Sequence, residues 1–379
     1  MAGPFCAMQL ADLGADVVKI ENPAGGDNVR LTPPFVGGES SNFMRLNRNK
    51  RSLALDLKDP AGHEAFLRLA RKTDIVVENL RPGTMAGLGL DYPVLARDNP
   101  GLIYVAASGW GQDGPYSRLA GLDIMAQGMS GLMSITGTPG GDPVKVGVPV
   151  CDLVCALYGA LAAVAALEAR RRDGRGQLID VSLFEAGVSL AVWEAGRYFA
   201  TGEIPRPQGS AHQSTAPYQA FRAADGFFTA GVPSPKLWTA FLEVLGLQRL
   251  ADDARFAGNA ERLQNRGPLA GLIEEVTTTL PVAHWLARFQ AAGVPCNAIQ
   301  DYGQVFSDPH LAERSYFWDG DHPTAGPVRQ LGSPMRLEAT PTRRDWAGPV
   351  LGQHSNEVLA EVGYTVGEVS ALRERGVVA

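Results

Sequence analysis

The chain has 379 residues, 45% of them hydrophobic and 20% charged, enough to bury a sizeable core and to form two domains. A formal net charge of −6 provides no global basic field, so neither nucleic acid nor a membrane is an expected partner. Four cysteines (Cys6, Cys151, Cys155 and Cys296) are too few for a disulfide scaffold, and no histidine joins Cys151 and Cys155 at a zinc-like spacing, so they read as small core residues. The N-terminal stretch carries Asp12, Asp16 and Lys19 and lacks a signal-peptide pattern, so a cytoplasmic location is expected.

The first fourteen residues predict a helix, with Pro4 in its first turn and Gly14 at its end. Residues 16–21 (DVVKIE) have the continuous apolar centre of a strand buried in a parallel sheet. After a turn-rich loop at 22–28, a second strand is expected over Ser52–Leu57, and Asp59-Pro60 opens a helix to about Lys72. Residues 74–78 (DIVVE) predict a third strand. A short helix follows, then a fourth strand over Leu102–Ala107 and a glycine-rich loop at 108–120. Strands and helices alternating at this interval argue for an α/β fold, an open Rossmann-like parallel sheet with helices on both faces. Ligands of such sheets sit beyond the carboxyl ends of the strands, which selects 22–27, 79–83 and 108–123. No G-x-G-x-x-G follows a strand and no P-loop is present, which argues against a nicotinamide or flavin reading. The phrase Gly128-Met129-Ser130-Gly131 is not G-x-S-x-G, which argues against a serine hydrolase.

The stretch 146–183 reads as a buried helix with a marked start and stop. Asp152 stands where an N-cap belongs. Arg170, Arg171 and Arg172 suit the negative end of the helix dipole, and Gly174 suits a left-handed C-terminal residue. The apolar run from Leu153 to Leu167 is fifteen residues, short of the ~20 needed to cross a bilayer, so a core helix is expected. Asp152 has two readings. One is a structural cap. The other is a carboxylate nucleophile, held at a positive helix end among apolar residues so that it stays ionised yet poorly hydrated. Local sequence is compatible with both.

A polar, turn-rich linker is expected at 201–211. Beyond it, Tyr218–Ala223 and Phe227–Val232 predict a β-hairpin about Ala224-Asp225-Gly226. Helices are expected over Pro235–Leu245, Ala260–Thr277 and Pro281–Ala291, with a strand over Val294–Ile299. This pattern defines a smaller α+β domain over 212–315. The large domain spans 1–200. Residues 316–379, ending in helices over about Ser355–Val362 and Val366–Arg375, return to it.

Four cations in seven residues (Arg45, Arg48, Lys50, Arg51) stand out in an acidic chain. They read either as a phosphate-holding cluster or as a solvated loop. The six histidines show no metal-ligand spacing, so no metal is expected. His212 either lines a cleft or is a simple loop residue. Asp123 precedes an apolar helix, where a cap is the plain reading.

Several stretches in order are familiar together: AGPFCAMQLADLGADVVKIE (2–21), LNRNKRSLALDLKDPAG (46–62), DIVVENLRPGTM (74–85), SGWGQDGPYSRLAGLDIMAQGMSGLMSITG (108–137), VPVCDL (148–153), RRDGRGQLIDVSLFEA (171–186) and VLGQHSNEVL (350–359). Through them the chain resembles the class III CoA-transferases, the family of formyl-CoA transferase and carnitine CoA-transferase, along essentially its whole length. GSAHQSTAPYQAF (209–221) looks most like the branch that moves CoA between succinyl-CoA and dicarboxylates such as glutarate. The resemblance implies a catalytic aspartate at Asp152 and CoA contacts at Ala2, Asn22, Leu55, Lys58, Asn79, Leu80, Arg81, Ala120 and Asp123. It implies CoA as a substrate, with no tightly bound cofactor. It also implies an interlocked homodimer acting on an acyl-CoA and a free carboxylic acid. Three departures are visible. Family members usually carry a further strand ahead of the position of Ala2. A basic residue common in the short helix after Asn79–Gly83 is Gly87 here. The related α-methylacyl-CoA racemases place a histidine where this chain has Leu122, which disfavours the alternative activity, racemisation at the α-carbon of an acyl-CoA.

Overall fold

The structure, a computed structural model, describes residues 1–379. The chain divides into two compact units. The first comprises 1–132, 145–200 and 309–379; the second comprises 133–144 and 201–308. The linear reading differs at three places. Residues 133–144 belong to the second unit, the expected linker at 201–211 is part of it, and the return to the first begins at Pro309. Polarity along a chain marks a loop but not the core on which that loop packs.

In the first unit two parallel ladders stand in place of the single open sheet expected. Val17–Glu21 pairs with Lys50–Ala54. Ile75–Glu78, Ile103–Ser108 and Leu178–Ser182 form the second ladder in that order. Alternation of strand and helix predicts parallel pairing; it does not say which strands are neighbours. The strand Leu178–Ser182 escapes the sequence reading because it begins directly after the helix-ending turn at Gly174–Gly176. That turn needs its glycine: a Cβ on Gly176 would lie 1.9 Å from the Leu102 carbonyl oxygen.

The central strand Ile103–Ser108 is buried along its whole length, and its side chains divide between two cores as the pleat requires. Val105 and Ala107 pack with the helices Ala2–Asp12 and Val150–Asp173. Tyr104 and Ala106 pack with Leu53, Leu55 and the final helices, Ser355–Glu361 and Val366–Glu374, through Val358, Leu359 and Leu372. A hairpin, Phe317–His322 with Gly326–Leu331, completes the unit and was not foreseen.

The 24-residue helix Val150–Asp173 ends on left-handed Gly174, as expected. It is buried on one side only. Cys155, Ala156, Gly159, Ala160 and Ala163 face the core, whereas Leu157, Leu161 and Val164 are exposed. By length and composition it is apolar enough to span a membrane, yet its small-residue side is packed as in a core helix. A Cβ on Gly159 would meet Cys6 Sγ and Val105 Cγ1 at 3.3 Å, so small residues here set a close approach to the sheet.

The second unit is a three-stranded antiparallel sheet, ordered Cys296–Ala298, Gly226–Gly231, Tyr218–Ala223. Helices cover a core of Phe221, Phe228, Trp238, Phe241 and Phe289. The single helix expected over 260–277 is two, Asn259–Gln264 and Arg266–Thr277. Their side chains pin the loop that carries His212. Asn259 Nδ2 donates to the Ser214 carbonyl at 2.9 Å, Arg262 Nε to Ala216 at 2.6 Å and Arg266 Nη2 to His212 at 2.7 Å.

Candidate active site

Asp152 is the third residue of the helix Val150–Asp173, not its N-cap; Pro149 holds that position and makes no side-chain cap. The cap comes from elsewhere. Asp123, first residue of the helix Asp123–Met129, accepts the Cys151 N–H at 2.9 Å and the Asp152 N–H at 3.3 Å on its Oδ1. Its Oδ2 accepts Gln127 Nε2 at 2.6 Å. Gln127, fully buried, accepts the Val146 N–H at 2.8 Å on its Oε1. The approach to Asp152 is thereby tied to the same carboxylate that caps the helix. Gln127 was not singled out from sequence, although its i,i+4 relation to Asp123 is the available signal.

The helix Ala2–Asp12 points its first turn at this site, where its N–H groups lack partners within the helix. The Ala2 N–H donates to Asp152 Oδ1 at 3.2 Å, and the Gly3 N–H donates to Asn79 Oδ1 at 3.3 Å. Asn79 is held in turn by its Nδ2 donating to the Ala107 carbonyl at 2.9 Å. Glycine is required at position 3, since a Cβ there would lie 2.7 Å from Asn79 Cβ. Asp152 Oδ2 has no protein partner. The half-buried Asp152 carboxyl is pushed above the ordinary aspartate range, first by burial and also by the nearby Asp123 charge; the positive chain terminus and the Ala2 N–H oppose the shift. A carboxylate so placed is poorly hydrated and more basic, which favours attack on carbon.

Leu119, Leu122, Ile124, Met125 and Met129, on or just before the helix that Asp123 opens, are exposed apolar residues. The glycine-rich loop is closed by a backbone crossing: a Cβ on Gly109 would sit 2.9 Å from Gly121 Cα. Trp110 Nε1 donates to the Ala120 carbonyl at 3.3 Å.

The remaining expected contact residues divide into two groups. Asn22, Lys58, Leu80 and Arg81 are exposed, each just beyond the carboxyl end of a strand. Lys58 and Arg81 make no ion pair. Leu55 is different: its side chain is buried in the core beside Val378, so the structure gives it a packing role. Asp123 has both oxygens engaged, by the helix end and by Gln127, and so positions the helix. Glu78, at the end of its strand, accepts the Leu80 N–H at 2.7 Å, and burial raises its carboxyl to about 7.

The basic cluster is neither a phosphate site nor a solvated loop. Arg48 pairs with Asp12, both buried, at 2.5 Å. Arg51 pairs with Asp16, Glu357 and Glu361. Arg45 Nη1 bonds the Ser41 carbonyl at 2.9 Å. Lys50 is wholly internal. The acidic partners lie 35 or more residues away in sequence, so local spacing held no sign of them.

Fold and site together define an α/β protein of the CaiB/BaiF type. A crystal structure of a CaiB/BaiF family protein from Brucella suis superposes with a TM-score of 0.86 at 37% identity, covering 96% of each chain. The sequence profile of CoA-transferase family III matches residues 1–355. Succinyl-CoA:glutarate CoA-transferase of Mus musculus is 37% identical, over 100% of this chain and 87% of its own. Succinyl-CoA:mesaconate CoA-transferase of Haloarcula hispanica is 38% identical, over 97% and 94%. The chain belongs to CoA-transferase family III and is a class III CoA-transferase, an enzyme whose substrates are CoA thioesters.

Proposed function

We propose that this enzyme moves CoA from succinyl-CoA to a free dicarboxylate through covalent intermediates on Asp152. The observation that carries the proposal is the asymmetry of that carboxylate, with Oδ1 on the Ala2 N–H and Oδ2 unpartnered. Both curated relatives described above use succinyl-CoA by name with different dicarboxylates, so the acceptor is assigned as a class.

Asp152 attacks the donor thioester carbonyl. A C–O bond forms, the C–S bond breaks, and CoA leaves as its thiolate from an acyl-aspartyl anhydride. The thiolate attacks the aspartyl carbonyl and expels the donor acid as carboxylate, leaving an aspartyl-CoA thioester. The acceptor carboxylate then forms a second anhydride, and the returning thiolate takes the acceptor acyl group and frees Asp152. Protons balance throughout. The Ala2 N–H stabilises the charge that develops on Asp152 Oδ1 at the two tetrahedral stages centred on the aspartyl carbon, when the thiolate attacks the first anhydride and when the acceptor attacks the aspartyl-CoA thioester. Water would hydrolyse every intermediate, so the site must exclude it.

In this reading the first unit binds CoA. Asn22, Lys58 and Asn79–Arg81 follow strand carboxyl ends, and the unpaired cations Lys58 and Arg81 suit its phosphates. The enzyme works as an interlocked homodimer in a reducing cytoplasm. A second copy is assigned to the exposed apolar residues of the helices Val150–Asp173 and Val192–Thr201, among them Leu157, Leu161, Val164, Val192 and Phe199, the last 82% exposed, because a lone chain rarely leaves so much apolar surface in water. Racemisation needs a second base at the α-carbon; Asp123 is engaged on both oxygens and Leu122 offers none. The test is incubation with succinyl-CoA and hydroxylamine. A hydroxamate located at Asp152 by mass spectrometry is expected, with no solvent deuterium entering the α-carbon. Turnover without an adduct, or with deuterium exchange, would count against the reading.

A further inference from the structure

Lys50 is buried to 1% exposure and has no carboxylate partner. Its ammonium donates to the Pro4 carbonyl at 2.7 Å, Asn47 Oδ1 at 2.9 Å and the Leu46 carbonyl at 3.2 Å. Three hydrogens meet three acceptors, all neutral. Both ends of the arrangement are fixed. The Lys50 backbone pairs with Val17, and its carbonyl accepts Trp346 Nε1 at 3.0 Å. Asn47 is fully buried, with Nδ2 donating to the Phe43 carbonyl at 3.1 Å. An isolated buried ammonium costs several kcal/mol, and burial holds this one well below the ordinary lysine range, with Lys19 adding to the shift. Charge-assisted hydrogen bonds to well-placed acceptors offset that cost.

The acceptor that matters is Pro4. It lies in the first turn of the helix Ala2–Asp12, two residues after the Ala2 N–H that meets Asp152. Through the middle of that helix, contacts such as Cys6 against Gly159 are apolar packing, which resists separation but is not directional, and the directional bonds of Arg48 and Asn49 hold only its far end, at Asp12. Asn79 fixes the turn at Gly3, and Lys50 fixes it at Pro4. We propose that Lys50 is a positioning residue for CoA transfer: its ammonium anchors the first turn of this helix through the Pro4 carbonyl and so keeps the Ala2 N–H on Asp152 Oδ1. The inference rests on the reading of Asp152 as the acyl carrier.

Lys50→Met keeps the length of the side chain and removes the charge. The full-length variant is expected to fold and to keep its KM for succinyl-CoA within about twofold, while kcat falls on the order of 100-fold, the loss a small misplacement of reacting groups brings. Hydroxylamine capture at Asp152 should slow by the same factor. The acid limb of the pH–rate profile should move upward, because the Ala2 N–H no longer favours the ionised carboxylate. Capture at the wild-type rate, or a raised KM with unchanged kcat, overturns the role of Lys50 and leaves Asp152 as the acyl carrier. Absence of an adduct in the wild-type enzyme would instead bring down the Asp152 reading, and this inference with it. If Lys50→Met does not fold, Asn47→Leu decides, since it removes one acceptor and keeps the ammonium. A fall in kcat of about tenfold at constant KM supports the proposal, and wild-type kcat overturns it.

Discussion

Asp123 and Asp152 lie in the first turns of two helices and carry the same side chain, yet their surroundings give them opposite work. Asp123 has both oxygens engaged, by two backbone N–H groups and by Gln127. Asp152 has one oxygen on a single N–H and the other unpartnered. A carboxylate saturated with donors is stabilised as an anion and is a poor nucleophile; one with a bare oxygen, pushed up by burial, retains its reactivity. The first builds the helix end that carries the second.

Asp152→Asn breaks this contrast most directly. It keeps the shape and the acceptor for the Ala2 N–H but removes the proposed nucleophile, so transfer should fall by about 10⁴-fold or more with little change in thermal stability. Retained transfer in a preparation shown by mass spectrometry to be free of deamidation would falsify the assignment. Next in size is Gly3→Val. Its Cβ cannot coexist with Asn79 Cβ at 2.7 Å, so the first turn must shift, and a kcat loss on the order of 100-fold is expected, measured beside CoA binding by calorimetry. Asp123→Ala should act mainly on structure. It strands two backbone N–H groups and Gln127, and a loss of about 1–3 kcal/mol in denaturant unfolding is expected, with a smaller fall in kcat. If instead Asp123→Ala abolished turnover without loss of stability, the division of labour between the two carboxylates would be wrong.

Glu78 offers the smallest and sharpest comparison, a third carboxyl near the site whose titration bears on folding. Burial raises its folded value to about 7 from an ordinary 4.5, with Asp180 adding to the shift. Because the folded state holds this proton more tightly than the unfolded chain, the stabilising contribution is complete below the unfolded value. It is lost as pH rises through about 7. Glu78→Gln keeps an acceptor for the Leu80 N–H and removes the titration. Its melting temperature should match the wild type near pH 4 and exceed it above pH 7. Parallel pH dependence of the two proteins would show that the Glu78 carboxyl does not sense burial.

The elements closest to their expected bounds are those with strong local signals. Pro235–Leu245 follows Ser234 and ends at left-handed Gly246. Val150–Asp173 ends as forecast at Gly174 after three arginines. The short strand Leu178–Ser182 and the hairpin over 317–331 carry no such signal: one is hidden behind a turn, and the other has a glycine in each strand and Pro327 in the second.

At the site, the motif around Asp152 singled out the residue, while its role as cap or nucleophile stayed open. Which carboxylate caps the helix was settled by Asp123 reaching it across 28 positions. The cations over 45–51 were visible as charge, but whether they faced solvent, phosphate or the interior depended on Asp12, Asp16, Glu357 and Glu361 folding back onto them. Helix periods, turns and caps are written within a few neighbouring residues, so a linear string carries them. Burial, ion pairing and the freedom of a single oxygen come from groups far apart in sequence, and only the folded chain brings those together.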